Sequence, residues 1–161
     1  MVKTLILGLG NPIMGDDAIG CNCAREIEVD LKTREINDVE VDQFYRGGIS
    51  LMERLIGYDR ALIIDSITGY GKEPGTIVEL KVTDLPSLTT NSPHDSSLKN
   101  ALEFGSQLGE KLPTTIDILA IEINPRFEFS ERLTPLVADC IPKIKNLALE
   151  WIKTCSQDLS V

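Results

Sequence analysis

The sequence is poor in basic residues relative to acidic ones, with 16 Lys and Arg against 25 Asp and Glu and a net charge of −9. That balance argues against a nucleic-acid surface, which needs clustered cations to meet phosphate. No apolar run is long enough to span a bilayer, and no charged-then-apolar leader precedes the first apolar segment, so the reading is a soluble cytoplasmic protein with no membrane partner. The four cysteines, Cys21, Cys23, Cys140 and Cys155, show no Cys-x-x-Cys spacing and give neither a zinc cage nor a redox pair. They read as reduced thiols, mostly buried. No Gly-x-Ser-x-Gly elbow occurs, and one histidine, His94, is the sole imidazole available to activate a nucleophile. Repeats and low-complexity tracts are missing as well. With 161 residues and 42% hydrophobic content, one domain over residues 1–161 with a real core is expected.

What is present is concentrated at the start. Leu5-Ile6-Leu7 is a wholly apolar run of the kind buried on both faces of a parallel sheet. It breaks into Gly8-Leu9-Gly10-Asn11-Pro12, a turn, and delivers Asp16 and Asp17 near a helix start. The glycines suggest a dinucleotide fingerprint only weakly, since the third glycine is replaced by Ile13. Ile19 to Leu31 has helical spacing, Val39 to Phe44 alternates as a strand, and Ile49 to Ile56 reads as a short helix. Arg60 to Asp65 is an apolar strand closed by a carboxylate. Thr76 to Val82 suggests an antiparallel addition at the sheet edge. His94 lies in a polar loop ahead of a helix marked by Leu98, Leu102 and Leu108. Ile116 to Ile123 is a further strand, and Leu133 to Ile152 is expected as one long helix deformed by Pro142. The order β-α-β-α-β-β-α-β-α predicts an α/β fold, a three-layer α/β/α sandwich with a twisted, mostly parallel sheet.

In a doubly wound start with strand order 2-1-3, the first and third strands are neighbours, and their carboxyl ends open on a crevice. Asp16 follows the first, Asp65 ends the third, and a loop such as that of His94 lies on the same edge. Two carboxylates and an imidazole suit a divalent transition metal such as Ni, Zn or Mn. Each has a bland alternative: helix capping for Asp16 or Asp17, turn capping for Asp65, a surface position for His94. Convergence on one crevice favours the site.

The pattern Gly8-x-Gly10-Asn11-x4-Asp16-Asp17-x2-Gly20, the Asp closing the third strand and a lone His before the next helix together resemble the [NiFe]-hydrogenase maturation endopeptidases. The resemblance runs through nearly the whole chain. It implies a peptidase that removes the C-terminal extension of a [NiFe]-hydrogenase large-subunit precursor after nickel insertion. It implies further that Asp16, Asp65 and His94 are at once the metal-binding and the catalytic residues, with Asp17 left to cap the helix. The nickel would come with the substrate, with zinc or cadmium able to take the site in vitro, and a monomer would best admit so large a partner. Where many members carry an acid followed by Gly-Thr, this chain has Tyr45-Arg46-Gly47-Gly48. Two alternatives stand beside this reading. One is a peptidyl-tRNA hydrolase-like enzyme, suggested by Gly8-Leu9-Gly10-Asn11-Pro12 but lacking the early His. The other is a non-catalytic module that senses a metal centre.

Overall fold

A computed structural model describes residues 1–85, 95–125 and 128–157, with the side chains of 95–97 and 155–157 left out. His94 therefore lies outside the described residues. Five strands form one sheet in the order β2-β1-β3-β5-β4. Strands β1 (Thr4–Leu9), β2 (Val39–Phe44), β3 (Arg60–Ile67) and β5 (Thr115–Glu122) are mutually parallel, and β4 (Ile77–Lys81) runs antiparallel along β5. The apolar runs explain the placement. Every residue of β1 and β3 is buried, whereas β2 and β4, on the edges, alternate apolar with charged positions such as Glu40, Asp42, Glu79 and Lys81, which also discourages edge pairing.

Helices cover both faces. On one side α1 (Ile19–Thr33) and the C-terminal helix α5 (Ile141–Gln157) bury Ile19, Cys23, Ile27 and Ile144 against Ile6, Leu62, Leu119 and Ile121. On the other, α2 (Gly48–Leu55) and α3 (Asp95–Gln107) bring Leu51, Leu55 and Leu98 onto Leu5, Leu7, Ile63 and Ile118. The fold is thus the α/β, three-layer, mostly parallel arrangement expected from the element order. Arg60 and Trp151 join α5 to the sheet: the guanidinium lies 3.7 Å from the indole centroid and donates to the Trp151 carbonyl at 2.8 Å. The indole N–H donates to Asp117 at 2.7 Å.

One expectation is corrected. The stretch from Leu133 is not a single helix but a short α4 (Pro135–Ala138) followed by α5. Pro142 falls in the first turn of α5, where its missing N–H costs nothing. In a continuous helix its ring would meet the Ala138 carbonyl, so the chain bends at Asp139–Cys140 instead.

Candidate active site at the carboxyl edge of β1 and β3

The glycines after β1 are required by close approach as much as by the turn. A Cβ on Gly8 would lie 2.1 Å from the Gly20 carbonyl oxygen, and one on Gly20 would lie 2.2 Å from that of Leu9 and 2.3 Å from that of Ile64. Helix α1 therefore rests directly on the ends of β1 and β3. Gly10, at φ +145°, turns the chain beneath Asp17, whose carbonyl oxygen would stand 2.0 Å from any Cβ there. A short 3-10 turn, Gly15–Ala18, then carries the two acids into α1.

The neighbouring carboxylates part company. Asp16 is 8% exposed, and both its oxygens are taken by Thr134, which leads into α4: Oδ1 accepts from the backbone N–H at 2.6 Å and Oδ2 from the hydroxyl at 2.8 Å. Asp17 faces β3. Its Oδ1 accepts from the Ser66 hydroxyl at 2.9 Å and its Oδ2 from the Asn11 N–H at 3.0 Å. The Ser66 N–H in turn donates to Asp65 Oδ1 at 2.8 Å. The structure thus joins Asp17, Ser66 and Asp65 in one chain of hydrogen bonds across β1 and β3, while Asp16 is held at α4. Asp17 is no helix cap either, because neither the 3-10 turn nor α1 has a side-chain cap.

Asp65, 5% exposed, lines a small cavity of about 10 Å³ with Leu9, Leu51, Ile67, Leu85 and Leu98. Leu98 belongs to the first turns of α3, so the N-terminal part of that helix borders Asp65, as the sequence expected of the element following His94. Among the described residues no three His, Cys, Asp or Glu side chains are grouped to hold a metal ion. Of the two linked carboxylates, Asp65 lines the cavity and Asp17 reaches it through Ser66, a set that suits a divalent cation only if further ligands arrive.

Among the described residues, the thiols near this edge are poorly suited to act as nucleophiles. Cys21 donates to the carbonyls of Gly10 (3.4 Å) and Gly8 (3.6 Å). Burial, followed by the charges of Asp65 and Asp17, pushes its pKa up to about 11, so the thiolate is scarce near neutrality. Burial raises Cys23 further and Cys140 to about 11. All three are free thiols.

Sequence reasoning missed Ser66, Thr134 and Glu122. Thr134-Pro135 carries a recognisable helix-start signature, and Glu122, like Asp65, is an acid closing an apolar strand. Nothing in the sequence marks Ser66 apart from its position beside Asp65.

A family model described as hydrogenase maturation protease matches residues 21–151. The chain belongs to the hydrogenase maturation protease family. It is accordingly a peptidase, and the peptidyl-tRNA hydrolase-like alternative is set aside. Among curated relatives, the hydrogenase 2 maturation protease of Escherichia coli is 25% identical over 148 residues, covering 89% of this chain and 88% of that protein. The coenzyme F420 hydrogenase subunit delta of Methanothermobacter thermautotrophicus is 28% identical over 157 residues, covering 93% and 94%. The solved structure of the hydrogenase maturating endopeptidase HybD from E. coli superposes with a TM-score of 0.80 at 24% identity, covering 96% of this chain and 94% of that one. This likeness shows the same fold over nearly the whole chain. No helix among the described residues is long and apolar enough to cross a membrane.

Proposed function

We propose that this maturation protease removes the C-terminal extension of a [NiFe]-hydrogenase large-subunit precursor once nickel has been inserted, reading the precursor's nickel as the sign of maturity. The observation that carries the reading is the buried Asp65 carboxylate near the end of β3, tied through Ser66 to Asp17 in the 3-10 turn that follows β1. Proteolysis needs an activated water, and a carboxylate at the carboxyl edge of a parallel sheet, where such folds place ligands, can supply the base.

The site assigned is Asp65 with Asp17 across Ser66, in place of the expected Asp16, whose oxygens are both taken by Thr134, and it is completed by His94, which immediately precedes α3 in sequence. Asp16 supports it by fixing Thr134 and the start of α4. Carboxylate and imidazole donors suit nickel carried by the precursor, whose remaining ligands stay with the precursor. The ion supplies recognition and charge stabilisation. Asp65 takes a proton from water as its oxygen adds to the scissile carbonyl carbon. That proton passes to the amide nitrogen as the C–N bond breaks, which leaves a carboxylate on the large subunit and an amine on the extension. Asp17, fixed by the Asn11 N–H and the Ser66 hydroxyl, holds Ser66 and through it Asp65 in register. The protein acts in the cytoplasm as a monomer, since its partner is a large folded subunit.

The test is incubation with nickel-loaded and nickel-free precursor, with the C-terminus read by mass spectrometry. The extension is expected to leave only the loaded form, and Asp65→Asn is expected to slow this by about 10²- to 10⁴-fold, the usual worth of a positioned base. Equal cutting of nickel-free precursor would remove the maturity check. A wild-type rate for Asp65→Asn would remove the site, and binding of loaded precursor without cleavage would leave a sensing module.

A further inference from the structure

Beyond the Asp17-Ser66-Asp65 chain, one buried carboxylate has an oxygen without a hydrogen-bond partner among the described residues. Glu122 ends β5, is 5% exposed and stands in register with Ile67, two residues beyond Asp65 on the adjacent strand. Side chains alternate along both strands. Ile63 and Ile67 of β3 share one apolar cluster with Ile118 and Ala120 of β5, so Asp65 and Glu122 lie on the same face of the sheet. With strands about 4.8 Å apart and a rise of about 3.3 Å per residue, their Cα atoms are roughly 8 Å from one another. Glu122 Oε1 accepts from the N–H groups of Gly69 (3.1 Å) and Tyr70 (3.3 Å), in the loop that continues β3 past Asp65. The main chain of Glu122 secures the far end of the same loop: its carbonyl accepts from the Gly75 N–H at 2.8 Å and its N–H donates to the Thr76 carbonyl at 2.9 Å. Glu122 Oε2, in contrast, is buried and without a hydrogen-bond partner among the described residues.

A buried acceptor without a donor is costly, and such atoms persist in native proteins chiefly where function supplies the partner. The loop above it is open on one side: Gly69 and Gly71 take positive φ (87° and 71°) and side chains there would meet nothing, whereas a Cβ on Gly75 (φ 88°) would stand 2.7 Å from the Leu136 carbonyl oxygen, so that glycine anchors the far end. We propose that Glu122 is a further substrate-positioning residue of the protease. Through Oε1 it holds the 68–75 loop that continues β3 past Asp65, and through Oε2 it accepts a hydrogen bond from an N–H of the precursor chain when a local shift of that loop opens the oxygen. The proposal rests on the endopeptidase reading above.

Glu122→Gln separates the two roles. The amide oxygen keeps the acceptor for Gly69 and Tyr70, and the amide nitrogen replaces the free acceptor with a donor. With nickel-loaded precursor, Glu122→Gln is expected to keep the wild-type melting temperature and to raise KM about ten-fold or more, the loss of one hydrogen bond to a charged group, with a much smaller change in kcat. Glu122→Ala, which loses the loop contact as well, is expected to lower both kcat and stability. A wild-type KM for Glu122→Gln would overturn the proposal. Should the variants fold poorly, hydrogen exchange of the Gly69 and Tyr70 amides in the wild-type enzyme decides: their protection is expected to change when precursor binds, and unchanged protection overturns the proposal. Failure of the wild-type enzyme to cut any loaded precursor would instead sink the endopeptidase reading itself, and this proposal with it.

Discussion

Gly20→Ala is the sharpest probe of how this fold makes its site. The added Cβ would stand 2.2 Å from the Leu9 carbonyl oxygen and 2.3 Å from that of Ile64. Carbon and oxygen rest at about 3.3 Å or more, so α1 has to retreat from the sheet by about 1 Å. Both obstacles are backbone atoms of central strands, and neither has a rotamer to change. Overpacking a core typically costs about 1–3 kcal/mol, and this position belongs at or above the top of that range, even after the helix-propensity gain of Ala over Gly. A loss of about 3 kcal/mol lowers the melting temperature of a chain this size by about 6–12 °C. The same retreat moves Asp17, and a 1 Å misplacement is worth about 10²-fold in rate. Gly105→Ala in α3 is the control. Its Cβ would meet Met52 Sδ at 2.8 Å and Cγ at 3.1 Å, the end of a flexible side chain that can swing aside, so its stability is expected to stay within about 1 kcal/mol of wild type. Thermal melts of the two variants with precursor cleavage alongside make the assay. A Gly20→Ala protein melting within about 2 °C of wild type would refute the close-approach argument.

Two further outcomes follow from the site. Asp16→Ala strips the acceptors from the Thr134 N–H and hydroxyl, leaving part-buried donors unpaired at about 1–3 kcal/mol each. It is expected to destabilise the protein in urea while any enzyme that remains folded still cleaves, whereas Asp17→Asn is expected to abolish cleavage with a smaller loss of stability. The reverse pattern would return the functional role to Asp16. The thiols set an alkaline limit: Cys21 titrates at about 11 in the fold against 9.0 ordinarily. A raised thiol leaves its stabilisation intact below pH 9, and that stabilisation is lost as the pH climbs from 9 to about 11, because the unfolded chain ionises first. Stability is expected to fall across that window with a slope that Cys21→Ser reduces by up to about 1.4 kcal/mol per pH unit. A slope identical in the variant would refute the assignment.

Much of this architecture was legible because parallel strands buried on both faces carry unbroken apolar runs. Leu5-Ile6-Leu7 and Ala61 to Ile64 announce themselves, and the turn after each names the edge where a site belongs. The edge strand β4 was legible for the opposite reason, its alternation and its Gly-Pro-rich approach. The break in the last helix was not, because Pro142 is compatible with the first turn of a new helix as well as with a kink, and only the position of the Ala138 carbonyl decides between them. Glu122 escaped notice although, like Asp65, it closes an apolar strand, because that signal alone does not say what the acid binds. Its meaning depends on which backbone amides fold back over it.

The choice between Asp16 and Asp17 shows where sequence spacing stops being informative. Adjacent residues in a 3-10 turn project about 120° apart, so one of the pair faces β3 and the other necessarily faces the flank where α4 begins. Which acid does which is a matter of rotational phase. That phase is set by the backbone on either side, where Gly10 and Gly15 both take positive φ and the Gly15 N–H donates to the Ser130 carbonyl at 2.7 Å. The Ser130 contact comes from a segment more than a hundred residues away in sequence, and it brings Thr134 within reach of Asp16 as it fixes the turn. The acid that faces Ser66, and through it Asp65, is therefore selected by a tertiary contact, and the two-residue motif specifies only that one of its members will.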